Sequence, residues 1–314
     1  LFGVFALKAA LLPLYLWLPA AYSSTSAPVA ALFAIMTKIG AYAILRVQTL
    51  IFGEQAGALN GLIEPLLLPL ALFTLGIGAF GVLASRSLRR QVAYLVVVSV
   101  GFLLSAFALG SEAAISAGLY YLPSTSLAAA ALFLLADLIA RGRGALADRL
   151  EPAPSIPLAP LVGGVFFFAA ILVAGLPPLS GFLGKWMLLD AAMATPAMSW
   201  ILALVLGSGL LAVLSLVRSG SLLFYRATVV ESTDAARANS RVPTSNPIAA
   251  SDPARQARIE TEIRLLPIFG LLGLCLLLVI AAGPATNYTT ETAAQLLAPQ
   301  DYIQAVLGIV ENQS

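Results

Sequence analysis

Lys8, Lys38 and Lys185 are the only lysines in the sequence, and all three lie inside apolar segments, while the cations of the polar connections are arginines. A lysine at the centre of a bilayer costs roughly 2.5–3.5 kcal/mol on insertion scales. An ammonium held there suits proton exchange, because burial disfavours its charged form and a nearby carboxylate favours it. Around Lys185 the stretch Gly175 to Trp186, GLPPLSGFLGKW, breaks an apolar run with Pro177 and Pro178, then places Ser180 and Gly181. Each proline removes a backbone donor and frees a carbonyl. Lys8 is followed closely by Pro13, which repeats the association of lysine with a helix break. Broken helices persist in membranes only where protein or a water-filled cavity satisfies the freed groups, and paired interruptions point to a binding site. Together these residues predict the centre of an ion pathway, with Lys8, Lys38 and Lys185 in it and Pro13, Pro177, Pro178 and Gly181 shaping the breaks. Snorkelling of a long side chain to the interface is the competing explanation, and it fits Lys8 best.

The elements that must hold these groups are membrane spans. Of 314 residues 60% are hydrophobic and 10% charged, too little polar surface to cover a soluble globule. Pro152 to Gly184 and Ala9 to Thr37 carry no charge, where about 20 apolar residues suffice to cross a bilayer. The expected fold is all-α: a polytopic transmembrane bundle of about eight spans, two of them broken by proline. The spans are placed at 1–18, Val29–Phe52, Pro65–Ala84, Val92–Leu109, Ala113–Ala140, Leu158–Met193, Trp200–Tyr225 and Leu265–Ala282. Arginines gather at 85–90, 141–151 and 226–264. All three stretches share one side, the cytoplasm, only if the long broken segment Leu158–Met193 crosses once.

Within the fifth span, Pro123 is expected to kink the helix, and Ser124, Thr125 and Ser126 either re-satisfy freed carbonyls or relay protons through water. Asp137 precedes Arg141 by one turn, the spacing of an ion pair at a helix end. Arg46 is expected to snorkel to the nearer interface. Residues 1–226 are read as the transmembrane core with seven spans, and 227–262 as a flexible cytoplasmic loop, polar and mixed in charge. Residues 263–314 hold the last span and a short surface helix with Tyr302, Ile303, Val306, Leu307 and Val310 on one face.

Several classes are excluded. Without histidine, the LSG at 179–181 cannot belong to a Ser/His hydrolase. Cys275 is the single cysteine, so no disulfide forms within the chain. Neither metal-ligand spacing nor a nucleotide loop is present, and no cofactor, metal or nucleic-acid partner is expected. The chain begins at Leu1 in what reads as mid-helix, as the C-terminal part of something longer would.

The segments FALKAALLPLYLWLPAAY, SAPVAALFAIMTKIGAYAILR, RRQVAYLVVVSVG, LYYLPSTSLAAAALFLLADLI and GLPPLSGFLGKWMLL resemble the antiporter-like membrane subunits shared by respiratory complex I and multi-subunit cation/proton antiporters. RSGSLLFYR and AAQLLAPQDYIQAVLG resemble the D-type branch of these subunits in the Mrp or Pha antiporters. The resemblance implies an inverted-repeat fold whose first six helices are missing here, together with the glutamate that pairs with the first lysine. It matches Lys8 and Lys185 to the lysines of the two broken helices and Lys38 to the central lysine between them, along a proton pathway. Ser124 stands where relatives resembling this branch have histidine. The implied function is a membrane subunit of a sodium or potassium/proton antiporter in the bacterial inner membrane, an ion transporter rather than an enzyme. Its implied partners are the other subunits of the same complex, the bilayer, H⁺ and Na⁺ or K⁺. The alternative is a proton-pumping antiporter-like subunit of NADH:quinone oxidoreductase; a purely structural scaffold requires all three lysines to tolerate methionine.

Overall fold

The computed structural model describes residues 1–52, 63–153, 156–225 and 253–307. Among them all regular elements are helical, apart from one isolated bridge between Ser87 and Arg149. In chain order the helices are α1 (Phe2–Ala9), α2 (Trp17–Ser24), α3 (Ala27–Leu50), α4 (Glu64–Ala84), α5 (Leu88–Ala108) and α6 (Glu112–Gly142). There follow α7 (Ala159–Ala174), α8 (Ser180–Ala192), α9 (Met198–Gly220), α10 (Pro253–Ile280), α11 (Ala282–Leu297) and α12 (Gln300–Leu307). Among the described residues six helices are long and apolar enough to cross a membrane, and α1 with α2, bent by 41° at their break, make a seventh. The pair α7 and α8 forms the second interrupted element. The chain is a multi-pass membrane protein.

Helices α5 and α6 form the centre, and α5 is buried on all sides from Leu95 to Phe107. Hydrocarbon gives no hydrophobic drive between helices, so close packing through small residues has to hold them. Gly101 does this for α5: a Cβ there would stand 2.5 Å from the Leu75 backbone nitrogen of α4. Gly81 of α4 likewise receives the Tyr94 ring. The outer helices α4, α9 and α10 expose Phe73, Phe80, Leu206, Leu210, Leu266 and Leu277, a surface suited to acyl chains.

One end of the bundle is rich in arginine. Two connections pair there, Leu88 N–H donating to Asp148 O at 2.8 Å and Leu150 N–H to Arg86 O at 2.9 Å. The Asp148 carboxylate also accepts from Arg89 N–H at 2.8 Å, negative charge on the positive end of the α5 dipole. Arg143 turns inward and donates to the carbonyls of Ala147, Arg149 and Glu151. Burial lowers its pKa from the ordinary guanidinium value, with Asp148 and Glu151 opposing the shift.

Side-chain bonds fix the direction of the later helices. Ile156 lies against Gly142, so α7 starts where α6 finishes, at the arginine-rich end. Ser215 Oγ donates to Val82 O and Ser219 Oγ to Gln91 Oε1, each at 2.9 Å, so α9 finishes at that end as well. The segment α7–α8 therefore crosses the bundle once, the number inferred from arginine placement. At the opposite end Tyr120 donates to Leu278 O at 3.0 Å, and Ser116 bonds Thr289 at 2.9 Å, which docks α10 and α11 on the start of α6.

Several expectations are corrected. The first span does not end at residue 18: α2 runs to Ser24, because Ser23 and Ser24 turn their hydroxyls back onto Pro19 O and Ala20 O and need no loop. Pro123 lies inside α6, whose helical assignment continues through it. The last long helix starts at Pro253 rather than in the 260s, a proline at its first position and an Arg258–Glu262 pair at 3.7 Å supporting the added turns. The remainder of the expected loop, 227–252, lies outside the described residues, as does Val310. Helix α11 is an addition to the expected elements; its sequence is too polar to register as a span. In α12, Tyr302 and Val306 are exposed and Ile303 is half-buried. Arg46 stacks over the Tyr302 ring at 4.7 Å, so this arginine has a protein partner.

Candidate functional site

Both breaks are closed by protein groups. At the first, Ala10 adopts a left-handed conformation (φ 57), its N–H and that of Leu11 turning back to Leu7 O and Ala6 O. Pro13 follows in the break, and Thr74 Oγ1 of α4 accepts from Leu12 N–H at 3.0 Å, which satisfies an amide that would otherwise be orphaned in hydrocarbon. Trp17, the first residue of α2, donates its indole N–H to Leu7 O at 2.9 Å. At the second break Gly175 (φ 73) caps α7, Pro177 and Pro178 carry the chain across, and α8 starts at Ser180. Gly181 lies so close to α7 that a Cβ there would overlap Leu172 O.

Each break brings a lysine to the carbonyl end of a half-helix. Lys8 lies in the last turn of α1. Lys185 reaches back from α8 and donates to Ala174 O at 2.6 Å, on the last residue of α7. Its chain lies over Gly175, where a Cβ would be 2.7 Å from Cδ and 2.8 Å from Nζ. Unsatisfied carbonyls at a helix C-terminus carry partial negative charge and favour a cation. Lys38, in contrast, is mid-helix and 0% exposed, its ammonium donating to Ala34 O at 3.1 Å. Gly40 allows α3 to touch the end of α1: a Cβ would lie 2.8 Å from Ala9 N and 3.1 Å from the Lys8 carbonyl carbon.

Lys8 departs from the expected burial. The face of α1 packed on its neighbours is Ala6 and Ala9, which leaves Lys8 exposed on the described chain. It borders a groove of about 140 Å³ shared with Trp17, Tyr22, Phe33, Met36 and Thr37. Inside that groove wall Tyr22 O–H bonds Thr37 Oγ1 and donates to Phe33 O at 2.6 Å.

The three hydroxyls of α6 diverge. Ser124 bonds Ser180 at 2.7 Å and so ties α6 to the first residue of α8. Thr125 hydrogen-bonds Tyr121, and Ser126 donates to Leu122 O at 2.7 Å. Cys275 is buried with its thiol 3.7 Å from Ser124 O. Asp137 does pair with Arg141 at 2.7 Å, but it is also 2.7 Å from Arg89 and 3.8 Å from Arg264, a junction of α5, α6 and α10. It belongs to the arginine-rich end and not to the breaks. Among the described residues no cluster of His, Cys, Asp or Glu suits a metal ion. Sequence reasoning misses Thr74, Tyr22, Thr37, Arg89 and Arg264; for Thr74 and Thr37 the available signal is a hydroxyl within an apolar run.

The family described as NADH:quinone oxidoreductase/Mrp antiporter, TM matches residues 1–213, well over half of the chain. The chain belongs to that family. Over 97% of its length this family member is 36% identical to the probable K(+)/H(+) antiporter D-subunit of Rhizobium meliloti, and it spans 57% of that relative. It is 33% identical to the Na(+)/H(+) antiporter D-subunit of Alkalihalophilus pseudofirmus, again over 97% of the chain and across 56% of the relative. Among solved structures it is similar to a chain of the Mrp complex from Dietzia sp., with TM-score 0.77 and 28% identity, covering 98% of this chain and 60% of that one. Respiratory complex I from Thermus thermophilus has a chain with TM-score 0.65 and 20% identity, over 93% of this chain and 57% of that one, a likeness of fold alone. The chain thus spans little more than half the length of the curated relatives it matches.

Proposed function

We propose that this chain belongs to a membrane subunit of a multi-subunit monovalent cation/proton antiporter and conducts protons through Lys8, Lys38 and Lys185. The observation that carries the reading is the Lys185 ammonium on Ala174 O, at a break that leaves that carbonyl for it. A proton leaving one lysine changes the field at the next, so a proton entering at one break lowers the hold on another further along. Ser124, Thr125 and Ser126 lie on α6, and Ser124 joins the second break through Ser180. The partners are the other subunits of the same complex and the bilayer, and the ions are H⁺ with Na⁺ or K⁺. The arginine-rich end faces the cytoplasm of a bacterial inner membrane.

Exchange in everted vesicles carrying the whole complex tests this. Lys38→Ala and Lys185→Ala should each abolish cation-dependent proton movement while the complex still assembles. Wild-type exchange in both variants removes the lysines from the mechanism. A proton-pumping subunit of NADH:quinone oxidoreductase is the second reading, favoured by the fold likeness to complex I. It requires proton movement indifferent to added Na⁺ and K⁺.

A further inference from the structure

Tyr22 and Thr37 are each 1% exposed. The Tyr22 ring is held by apolar neighbours, its centroid 6.0 Å from Trp17, 5.8 Å from Phe33 and 6.1 Å from Phe133. Its hydroxyl is therefore not needed to place the ring. The hydroxyl nevertheless bonds Thr37 Oγ1, and both oxygens reach one acceptor, Phe33 O, at 2.6 Å from Tyr22 and 3.1 Å from Thr37. Each hydroxyl has one proton, so two protons serve three contacts. In one arrangement Tyr22 donates to Phe33 O and Thr37 donates to Tyr22. In the other Thr37 donates to Phe33 O and Tyr22 donates to Thr37. The two differ only in the direction of the protons.

The surroundings of the pair give that ambiguity a use. On one side Tyr22 and Thr37 line the same groove as Lys8. On the other, the carbonyl next to Phe33 O along α3 is Ala34 O, the acceptor for the Lys38 ammonium at 3.1 Å. One turn of α3 thus carries the hydroxyl pair and the buried ammonium on consecutive carbonyls. We infer that the Tyr22–Thr37 pair is the proton crossing between the Lys8 groove and Lys38. The inference rests on the reading of these lysines as a proton pathway and adds two residues to it. In the step, the Lys8 ammonium gives a proton across the groove to one hydroxyl oxygen. That hydroxyl's own proton passes to the second oxygen, whose proton leaves toward neutral Lys38. Each oxygen gains one proton and loses one; Lys8 ends neutral and Lys38 charged.

The contrasting role is a plain structural tie, since threonine often back-bonds within a helix and a buried tyrosine needs a partner. Tyr22→Phe, Thr37→Val, Thr37→Ser and Lys38→Ala, made in the complete complex, separate the two. Exchange is measured in vesicles in water and in deuterium oxide, and the thermal midpoint is measured on the extracted complex. For a crossing, Tyr22→Phe and Thr37→Val slow exchange by about 100-fold, the scale of a lost general acid–base group. Thr37→Ser keeps the wild-type rate and its slowing in deuterium oxide. Exchange at the wild-type rate in Tyr22→Phe and Thr37→Val, with Lys38→Ala inactive, overturns the crossing and leaves the functional reading intact. Equal losses in Thr37→Ser and Thr37→Val, matched by a lowered midpoint, also overturn it in favour of a tie. Wild-type exchange in Lys38→Ala removes both.

Discussion

Gly175→Ala gives the sharpest test of the second break, because one methyl group meets two separate constraints. The backbone there is left-handed, φ 73, and a residue with a Cβ in that conformation costs roughly 1–2 kcal/mol. The new Cβ would lie 2.7 Å from Lys185 Cδ and 2.8 Å from Nζ. The lysine tail is flexible and can move aside, so the clash itself adds little. Moving aside, however, takes the ammonium off Ala174 O, now 2.6 Å away, and a hydrogen bond to a charged group is worth about 1.5–3 kcal/mol. The variant should therefore lose about 2.5–5 kcal/mol of stability, from the strained backbone and the lost hydrogen bond together, and most of its exchange activity. Gly207→Ala is the matched control: it is in α9 with nothing within 4 Å of a new Cβ, and it should be neutral or slightly stabilising. Thermal midpoints of the extracted complex report the first effect and vesicle exchange the second. A Gly175→Ala complex with the midpoint and exchange rate of Gly207→Ala would refute the reasoning.

Three further perturbations probe the supports. Thr74→Val leaves Leu12 N–H without its acceptor and should cost about 1–3 kcal/mol, seen as a lower thermal midpoint, whereas Thr74→Ser should match wild type. Asp137→Asn removes the charge shared by Arg89, Arg141 and Arg264 and should cost about 2 kcal/mol by the same measurement. Arg141→Ala, at a side chain 60% exposed, should leave the midpoint close to wild type, because solvent screens that arm of the junction.

The sequence makes the spans legible because hydrocarbon tolerates so few arrangements: uncharged runs, prolines beside lysines, and arginines confined to three stretches. Even the single crossing of Leu158–Met193 could be read from charge placement, and Ser215 and Ser219 at the arginine-rich end agree with it. Depth within the bundle could not be read. Helices α5 and α10 are similarly apolar, yet α5 is central and α10 peripheral. Lipid and protein make the same demand on a side chain, so hydropathy does not separate them. The sequence sets Lys8 apart from Lys38 only as the lysine that snorkelling fits best; that α1 turns Ala6 and Ala9 inward and leaves Lys8 exposed on the described chain is a matter of packing. Helix α11 escapes notice for the opposite reason: its fold depends on Thr289 docking against Ser116, a contact that leaves no periodic trace. The partners of the breaks, Thr74 for Leu12 and Ser124 for Ser180, join residues distant in sequence, which pattern alone cannot pair.

Helix α6 is fastened near both ends, by Asp137 to α5 and α10 at one and by Ser116 and Tyr120 to α11 and α10 at the other. Between the fastenings it meets the second break at Ser124, beside Pro123, where the ladder of backbone bonds is already one rung short. A beam clamped at its ends yields at its middle. The contact with α8 therefore falls in the stretch of α6 between its two sets of ties and away from both of them.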